Sequence, residues 1–497
     1  MKNTTNLLSF ILVLIGLAGC NDAIDIDQKG RLDAEAAFQS VDDLLAGLYG
    51  VYDQFDITPD IAFQSVFTDE LAIGFDNGGQ GLADYGFVLN ASSTAPETFW
   101  VNGYSQLNFA NRLIEAAENL PEEEIAKDPE LYEQVLGEAY ALRAWGHFIL
   151  LSYFSTDYAD DSALSIINLD FVPTIDQQLP RNTNGETFAL IESDLAKAAG
   201  LLNQDLGVKR INADFVTALR ARIAAYREDY VAAAGFAQEL IAKYPLADRL
   251  EYQGMFLDEA DGEVIFKLER TNNDNYDDQG ATGTPAAGGW AGSCFAFVDA
   301  TLEGSPYFEM GRSLFNIMDP ADVRYEVNVA PSSLIDPEYE TNQDPALDIL
   351  VIQKYPGSQD RPLMNDLKVF RVSEMYLIQA EAAVAAGNLG EAASLLKEIR
   401  DARFGASTPL PALGNQTLAY AAILDERRVE LCFEGHRYLD LKRLGTKASK
   451  GVAKDAVDCA FNGACSLPAD DYRFTLPLPS IEFNGNPGLR TQQNPGY

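Results

Sequence analysis

Two segments of this chain resemble each other, and each has the pattern of a pair of packed helices. The first begins at Ala221 and reads ARIAAYREDYVAAA, and the second begins at Ala380 and reads AEAAVAAGNLGEAA. Both place small residues in a first helix, followed by a polar turn, a bulky residue and a second alanine-rich helix. Small side chains let two antiparallel helices approach closely, so neighbouring pairs must bury the remaining apolar surface. This feature restricts the chain to a helical architecture.

The same arrangement of small residues is typical of tetratricopeptide-like repeats, in which helix pairs stack on one another. Apolar residues at helical spacing predict four further helices, over residues 42–52, 99–119, 131–153 and 186–202. We therefore predict a mostly α-helical fold built from stacked helix pairs.

Other regions of the chain lack helical spacing. Residues 55–98 are rich in Gly, Asp and aromatic residues and predict a long loop region, and loops of that length are usually functional or disordered. Residues 263–268 predict a short strand. Residues 300–365 mix Pro, Gly and acidic residues, and the tail from residue 474 contains too much proline for a helix.

The N-terminus has the layout of a secretory signal, with Lys2 near its start, an apolar run over residues 7–17 and the tetrapeptide Leu-Ala-Gly-Cys ending at Cys20. The apolar run is too short for a comfortable membrane span. The tetrapeptide resembles a bacterial lipobox, which predicts that residues 1–19 are a lipoprotein signal peptide and that Cys20 is lipidated. The alternative is an ordinary secretory signal whose Cys20 remains a thiol. In the first case acyl chains tether a water-soluble body to a membrane.

The composition limits the classes of partner that the mature protein can bind. The chain has 36 basic and 75 acidic residues, a formal net charge of −39, and 47% of its residues are hydrophobic. The apolar fraction supports a sizeable core, and no later run reaches transmembrane length. The negative charge argues against nucleic acid and anionic lipid as partners, so we expect membrane contact through the lipid anchor only.

The cysteines predict one local cross-link and no metal site. Cys459 and Cys465 lie close together around a Gly-containing stretch, and export through an oxidising compartment favours a disulfide between them. Cys432 lies in an apolar helical pattern and is expected to be a buried thiol. The cysteine spacing fits no zinc motif and the chain has only two histidines. We expect no metal and no cofactor.

Four segments together resemble the SusD/RagB family of outer-membrane nutrient-binding lipoproteins of Bacteroidota. They appear in the family's order along the chain and include GEAYALRAWGHF, KVFRVSEMYLIQAEA, the charge-rich DERRVELCFEGHRYLDLKRLG, and a C-terminal stretch that starts with LPLPS and ends with NPGY. These segments occupy residues 137–148, 368–382, 425–445 and 476–497.

The resemblance implies a mostly α-helical fold in which about four tetratricopeptide-like pairs and a few short strands support a loop-rich ligand face. It divides the mature chain into an N-terminal region of residues 20–250 and a C-terminal region of residues 251–497. It further implies a binding protein rather than an enzyme, on the exterior of the outer membrane, which captures oligosaccharides or peptides. The implied partner is a SusC-like TonB-dependent barrel that imports the ligand.

The charge-rich segment has the pattern of a buried network. Glu426, Arg427, Glu430, Glu434 and Arg437 recur at spacings of three and four, which on one helix would bring opposite charges into contact. The Gly-His step after Glu434 is expected to interrupt that helix. A glycosidase needs two carboxylates that face each other across a sugar, and two glutamates on adjacent turns among arginines do not provide that geometry.

Neutral sugars present C–H faces that stack on aromatic rings, so aromatic residues in loops are the candidate ligand contacts. Trp290, between glycines in a segment without periodicity, is the first candidate. Tyr276, Phe75 and Tyr85 lie in the two long loop regions and are further candidates. The alternative is that each of these rings fills the core of its own loop.

Two other functions remain compatible with the sequence. One is a lipid-anchored glycoside hydrolase, which turnover of oligosaccharides would reveal. The other is a tetratricopeptide-like assembly scaffold without a small ligand, which tight sugar or peptide binding would exclude. The sequence does not identify the glycan or peptide.

Overall fold

The computed structural model describes residues 37–74, 77–174, 176–271, 289–295 and 306–497. In this part of the chain the N-terminal half is almost entirely helical. Its elements are α1 (Val41–Gln54), α2 (Thr58–Phe67), β1 (Leu71–Ile73), α3 (Leu82–Tyr85), α4 (Thr94–Glu118), α5 (Glu122–Ile125), α6 (Pro129–Phe154), α7 (Asn184–Leu201), α8 (Ala213–Tyr226), α9 (Tyr230–Ile241) and α10 (Arg249–Phe256).

The C-terminal half mixes short strands and short helices with two further pairs of long helices. Its elements are β2 (Val264–Leu268), β3 (Phe308–Met310), α11 (Arg312–Phe315), α12 (Val323–Asn328), α13 (Tyr339–Asn342), β4 (Gly357–Ser358), β5 (Arg361–Pro362), β6 (Leu367–Arg371), α14 (Val372–Ala385), α15 (Leu389–Phe404), α16 (Gln416–Glu430), α17 (Arg437–Ala448), β7 (Val452–Ala453), β8 (Ser466–Leu467) and α18 (Glu482–Gly485).

The two segments with similar sequences form the helix pairs α8–α9 and α14–α15, as the small-residue pattern predicts. Within each pair the helices pack together, and α9 also packs against α14, so the two pairs stack directly. Ala233 and Ala237 of α9, and Ala380 and Ala392 of the second pair, are fully buried at these contacts. The long helices α4, α6 and α7 form the neighbouring layer.

The helices begin where polar side chains satisfy their free backbone N–H groups. Thr183 and Glu186 form a capping box at the start of α7, and Asp128 accepts from the backbone N–H of Leu131 at the start of α6. The helices predicted from apolar spacing over residues 42–52, 99–119, 131–153 and 186–202 agree with the observed α1, α4, α6 and α7, with bounds that differ by at most five residues.

Residues 55–98 differ from the predicted loop region, because they contain α2, β1, α3 and the start of α4. Helix α2 starts with Pro59 in its first turn, and nine of its ten residues are buried. A helix buried on all sides has no polar face, so it lacks the amphipathic spacing by which a helix is recognised in a sequence. The proline-rich tail likewise contains the one-turn helix α18 and a 3₁₀ helix at Pro487–Gln492.

The described residues form four two-stranded antiparallel sheets: β1–β3, β2–β6, β4–β5 and β7–β8. The first two connect segments that are distant in the chain, whereas β4 and β5 form a tight hairpin. In the first, Leu71 pairs with Met310 and Ile73 with Phe308. This pairing places the start of β1 beside the start of α11. The predicted strand over residues 263–268 is β2, which is buried along its whole length beside β6.

One large cluster of buried apolar residues extends from Val41 to Leu489. It includes residues on both sides of the expected boundary between residues 250 and 251, and the ring of Phe215 packs against that of Phe266 at a centroid distance of 4.8 Å. This core supports a face on which the short strands and loops of the C-terminal half meet β1 and α3.

Candidate functional site

The carboxylates of the charge-rich segment lie in a buried ion-pair cluster. Glu430 accepts hydrogen bonds from Arg324, Arg371 and Arg403 at 3.2, 2.9 and 2.8 Å. The side chain of Glu430 is fully buried, and those of the three arginines are at most 4% exposed. Glu434 accepts from Arg371 at 2.8 Å. The expectation of a buried network rather than a catalytic pair agrees with this geometry.

The expected pairing of neighbours along one helix is wrong, however. Helix α16 ends at Glu430 and α17 begins at Arg437, so the segment turns at the predicted Gly-His step. The partners of Glu430 come from α12, β6 and α15, whereas Arg427 donates to Asp440 of α17 at 2.6 Å. Burial alone would raise the pKa of Glu434, but the charges of Arg371 and Lys354 beside it hold that pKa below its usual value.

A cleft of about 440 Å³ opens on the face where the strands and loops meet. We call it the aromatic cleft. Its walls come from the end of β1, from β3 and α11, from residues 339–350, and from a loop at residues 457–461. At Gly74, after β1, a Cβ atom would lie 2.2 Å from the carbonyl oxygen of Pro306, so only glycine permits this close approach of the two walls.

A disulfide-closed loop carries the exposed ring of the aromatic cleft. Cys459 and Cys465 form the predicted disulfide, and their Cα atoms are 5.1 Å apart. Phe461 lies inside this loop and is 58% exposed. Its ring stacks on that of Tyr85 with a centroid distance of 5.9 Å and an interplanar angle of 20°. The stack fixes one face of Phe461 and leaves much of the ring available to a ligand.

Two contacts fix the position of the Tyr85 side chain. Its hydroxyl donates to the carbonyl oxygen of Asp458 at 3.0 Å, and the Lys454 ammonium lies 3.4 Å from its ring centroid. Burial lowers the pKa of Lys454 to about 7. Tyr85 therefore connects α3 to the disulfide loop, and through this contact it sets the position of Phe461.

The opposite side of the aromatic cleft is organised by Arg312. Its guanidinium lies 4.0 Å from the ring centroid of Tyr339 and makes a bidentate pair with Asp348 at 3.0 and 2.7 Å. Its backbone N–H donates to Asp458 at 2.7 Å. Burial raises the pKa of the Asp458 carboxyl to about 7. Arginine, carboxylates and aromatic rings thus surround one cleft.

The structure corrects the expected exposure of two predicted ligand contacts. Trp290 is only 3% exposed and Tyr85 is fully buried, so neither presents a ring face to solvent. Trp290 is covered because its segment packs tightly into the body: a Cβ on Gly292 would lie 2.7 Å from the Cβ of Leu363. The alternative interpretation, in which each ring fills the core beneath its loop, agrees with this structure. Tyr85 contributes to the aromatic cleft only indirectly, by stacking on Phe461.

Three other predicted site residues, Phe75, Tyr276 and Cys20, lie outside the described residues. Sequence reasoning missed Phe461, although the chain carries a signal for it. A large ring inside a short loop closed by two cysteines cannot be covered by that loop. Cys432 is a buried free thiol, as expected, and so is Cys294.

A second cleft, of about 640 Å³, lies between the α11–α12 segment and the loop after α15. Its exposed apolar side chains are aliphatic, with Ile317 47% and Leu410 57% exposed. The rings of Tyr325 and Phe404 also line it, but both are half-buried. Aliphatic side chains do not provide the flat face on which a sugar ring stacks. We call it the aliphatic cleft, and the aromatic cleft is the better candidate for a sugar site.

Two further searches apply to the described residues only. No helix among them combines the length and apolar character that crossing a bilayer requires. No group of three or more His, Cys, Asp or Glu side chains in that part of the chain is arranged to hold a metal ion.

Sequence comparison identifies the class of this fold. The profile of the SusD family matches residues 354–497, and a profile described as starch-binding, associating with the outer membrane, matches residues 25–224. The chain is 26% identical to SusD-like protein P2 of Formosa agariphila, over 99% of both chains. It is 30% identical over 133 residues to the starch-binding protein SusD of Bacteroides thetaiotaomicron, covering 27% of this chain and 22% of that protein.

Solved structures show the same architecture. A SusD superfamily protein from Bacteroides thetaiotaomicron aligns with a TM-score of 0.74 at 23% identity, covering 92% of this chain and 100% of that one. Surface glycan-binding protein A from Bacteroides fluxus aligns with a TM-score of 0.69 at 21% identity, with coverages of 92% and 100%. The fold is the tetratricopeptide-like helical fold of that superfamily. The two profile matches, which together cover most of the chain, assign it to the SusD/RagB family.

Proposed function

We propose that this protein is a surface lipoprotein that captures oligosaccharides in the aromatic cleft and delivers them to a SusC-like TonB-dependent transporter. The observation that carries the proposal is Phe461, a ring that is 58% exposed at a cleft of about 440 Å³ and is held by Tyr85 and by a disulfide. Membership of the SusD family and the glycan-binding functions ascribed to its relatives support the proposal.

The aromatic cleft offers both kinds of contact that a sugar requires. The exposed face of Phe461 can stack on the C–H face of a sugar ring. Asp344 on the opposite wall is exposed, and one of its oxygens already accepts from the backbone N–H of Ala346 at 3.0 Å, which orients the carboxylate. No described residue donates to the other oxygen, which can accept from sugar hydroxyls. The ring of Phe461 is already fixed by its stack on Tyr85. It therefore loses little conformational entropy when a ligand binds, and this favours affinity.

The described carboxylates give little support to the glycoside hydrolase alternative. Both oxygens of Asp348 accept from Arg312, and Asp458 accepts from its backbone N–H. Glu430 and Glu434 are enclosed among arginines and cannot reach a sugar. A general acid and a base on opposite sides of a glycosidic bond require two accessible carboxyl groups. Among the described carboxylates that line the cleft, Asp344 is the only one that is exposed. Binding without turnover therefore fits the cleft better.

The first experiment tests the binding site. The mature protein, the Phe461→Ala variant and a Leu410→Ala control in the aliphatic cleft are applied to a glycan array. We expect binding to a restricted set of glycans that is lost in Phe461→Ala and kept in Leu410→Ala. Release of reducing ends from a bound glycan would support the hydrolase. Absence of any glycan binding, or binding that Phe461→Ala leaves intact, would contradict the proposed site.

The second experiment tests the anchor and the transporter. Cys20→Ala should release the protein from the membrane fraction, because a lipid chain attached to Cys20 is the expected anchor. A variant that still requires detergent for extraction would show that this assignment is wrong. Affinity purification of the anchored protein from its native envelope should recover a TonB-dependent barrel. Recovery of other soluble proteins alone would favour the assembly scaffold.

A further inference from the structure

The charges around the aromatic cleft point to the chemical class of its ligand. Among the described residues that line it, the acidic side chains outnumber the single basic one: Glu309, Asp344, Asp348 and Asp458 face Arg312. The whole chain carries a net charge of −39, so its long-range field has the same sign as the cleft. We propose that the aromatic cleft binds uncharged oligosaccharides and rejects those that carry carboxylate or sulfate groups. This inference rests on the proposed function.

Arg312, the single basic side chain among the described residues that line the cleft, is already engaged. The Arg312 side chain is only 5% exposed. Its guanidinium donates to both oxygens of Asp348 and to the carbonyl oxygen of Asp336 at 2.8 Å, and it packs against the rings of Tyr339 and Phe315. Recognition of a carboxylate or sulfate in proteins typically uses an arginine with a free pair of N–H donors. An anionic sugar would have to displace Asp348 to obtain that pair.

An anionic sugar would also meet uncompensated charge of its own sign. Asp344 has no ion-pair partner among the described residues, and its side chain is exposed at the rim. Placing like charges together at an interface is a common way in which proteins exclude the wrong partner. Uncharged sugars avoid this penalty, because their hydroxyl groups donate hydrogen bonds to the same carboxylates. The pattern of charges thus favours one class of glycan and opposes the other.

The test uses pairs of polysaccharides that share a backbone and differ in charge. Affinity electrophoresis compares amylose with carboxymethyl amylose, dextran with dextran sulfate, and highly methyl-esterified pectin with polygalacturonate. Each pair is run with the mature protein and with Phe461→Ala. We expect retention that depends on Phe461 only with uncharged members. The charged member of a bound pair should bind about tenfold more weakly, which corresponds to about 1.4 kcal/mol.

The outcomes separate the inference from the function on which it rests. Retention by an anionic member that equals or exceeds that of its neutral counterpart, and that depends on Phe461, would overturn the inference while supporting glycan binding. If no polysaccharide in the panel or on the glycan array is retained through Phe461, the proposed function itself fails.

A charge variant tests the physical cause. Asp344→Asn keeps a side-chain oxygen that can accept from the backbone N–H of Ala346, so the turn is preserved. We expect the discrimination between neutral and charged members to fall about threefold in Asp344→Asn and to be kept in Asp425→Asn, a matched control that lines the aliphatic cleft. Raising the salt concentration to about 0.5 M should reduce discrimination in the wild type, because salt screens exposed charges. Unchanged discrimination in Asp344→Asn would show that charge at this rim does not select the ligand.

Discussion

The ion-pair cluster and the aromatic cleft both contain several carboxylates, but the two regions treat them in opposite ways. In the cluster, Glu430 is surrounded by three arginines and is inaccessible to solvent. In the cleft, the described lining residues include four carboxylates and a single arginine, Arg312, which forms an ion pair with Asp348. Asp344 is exposed at the rim. Charges that are fully matched inside the protein have no capacity left for a ligand. Carboxylate oxygens that remain unpaired at an open cleft can accept hydrogen bonds from a ligand.

The largest expected effect concerns the cluster. Glu430→Ala leaves Arg371 and Arg403 buried with part of their compensation removed, and breaking a buried ion pair in this way costs about 3–5 kcal/mol. We expect the free energy of unfolding, measured in denaturant, to fall by that amount. Asp425→Ala, whose side chain is 47% exposed in its pair with Lys450, is the control and should change stability by less than about 1 kcal/mol.

A smaller effect on stability is expected on the cleft side. The Cys459–Cys465 disulfide closes a loop with a sequence separation of six. Removing the cross-link by the double replacement Cys459→Ser and Cys465→Ser should lower the free energy of unfolding by about 2–3 kcal/mol, since short loops gain least from closure. Glycan affinity should fall as well, because Phe461 is no longer held on Tyr85. A double variant with full affinity would show that the disulfide does not position the ring.

Phe461→Ala should separate binding from stability. An aromatic residue at the centre of a binding site commonly contributes about 2 kcal/mol, which corresponds to about a thirtyfold loss of affinity. We expect that loss in calorimetric titrations with the glycan found on the array, with a melting temperature close to that of the wild type. A large fall in melting temperature with retained affinity would place Phe461 among the structural rings, together with Trp290.

The smallest expected effect is a difference in pH dependence between the two regions. In the cleft, burial raises the pKa of Asp458 to about 7, above its value in the unfolded chain. The folded state therefore favours the protonated form, and this contribution to stability is lost as the pH rises from about 4 to above 7. Asp458→Asn avoids the loss and should be more stable than the wild type at pH 8 by about 1 kcal/mol. The difference should vanish near pH 4.

Asp69, a buried carboxylate near the ion-pair cluster, should give the opposite pH dependence of stability. Burial would raise the pKa of Asp69, but the charges of Arg428 and Arg437 hold it well below its usual value. Its contribution to stability is present above the unfolded pKa and is lost as the pH falls through the folded pKa. Asp69→Asn should therefore be less stable than the wild type at pH 8, and the difference should shrink at low pH. Equal pH profiles for the Asp69 and Asp458 variants would contradict this contrast.

Much of the helical framework is predictable from local pattern. The α8–α9 and α14–α15 pairs follow from the spacing of small residues, and α4, α6 and α7 follow from apolar spacing. Helix α2 does not, because its burial on every side removes the periodic signal. The family motifs locate the charge-rich segment, but the partners of Glu430 come from α12, β6 and α15, which no local pattern connects to it.

The candidate site is less predictable than the framework. Trp290 and Phe461 are both aromatic residues in non-periodic segments, yet Trp290 is 3% and Phe461 58% exposed. The difference arises from contacts made by distant parts of the chain. Leu363 packs closely against Gly292 in the Trp290 segment. The Arg361 guanidinium lies 5.6 Å from the centroid of the Trp290 ring. Tyr85 stacks on Phe461, whose ring nevertheless stays exposed. A prediction based on local composition could not distinguish the two rings.

Local sequence patterns predict most of the long helices, the helices that can pack closely and the residues that carry charge, because these properties depend on side chains within a few turns of each other. Which charges neutralise one another, and which aromatic ring remains exposed, follows from the folded structure. These outcomes depend on contacts across long separations, such as the hydrogen bond from Tyr85 to Asp458, whose partners are 373 residues apart. Burial is a property of the assembled fold, so a residue's availability to a ligand is fixed only when distant segments have packed around it.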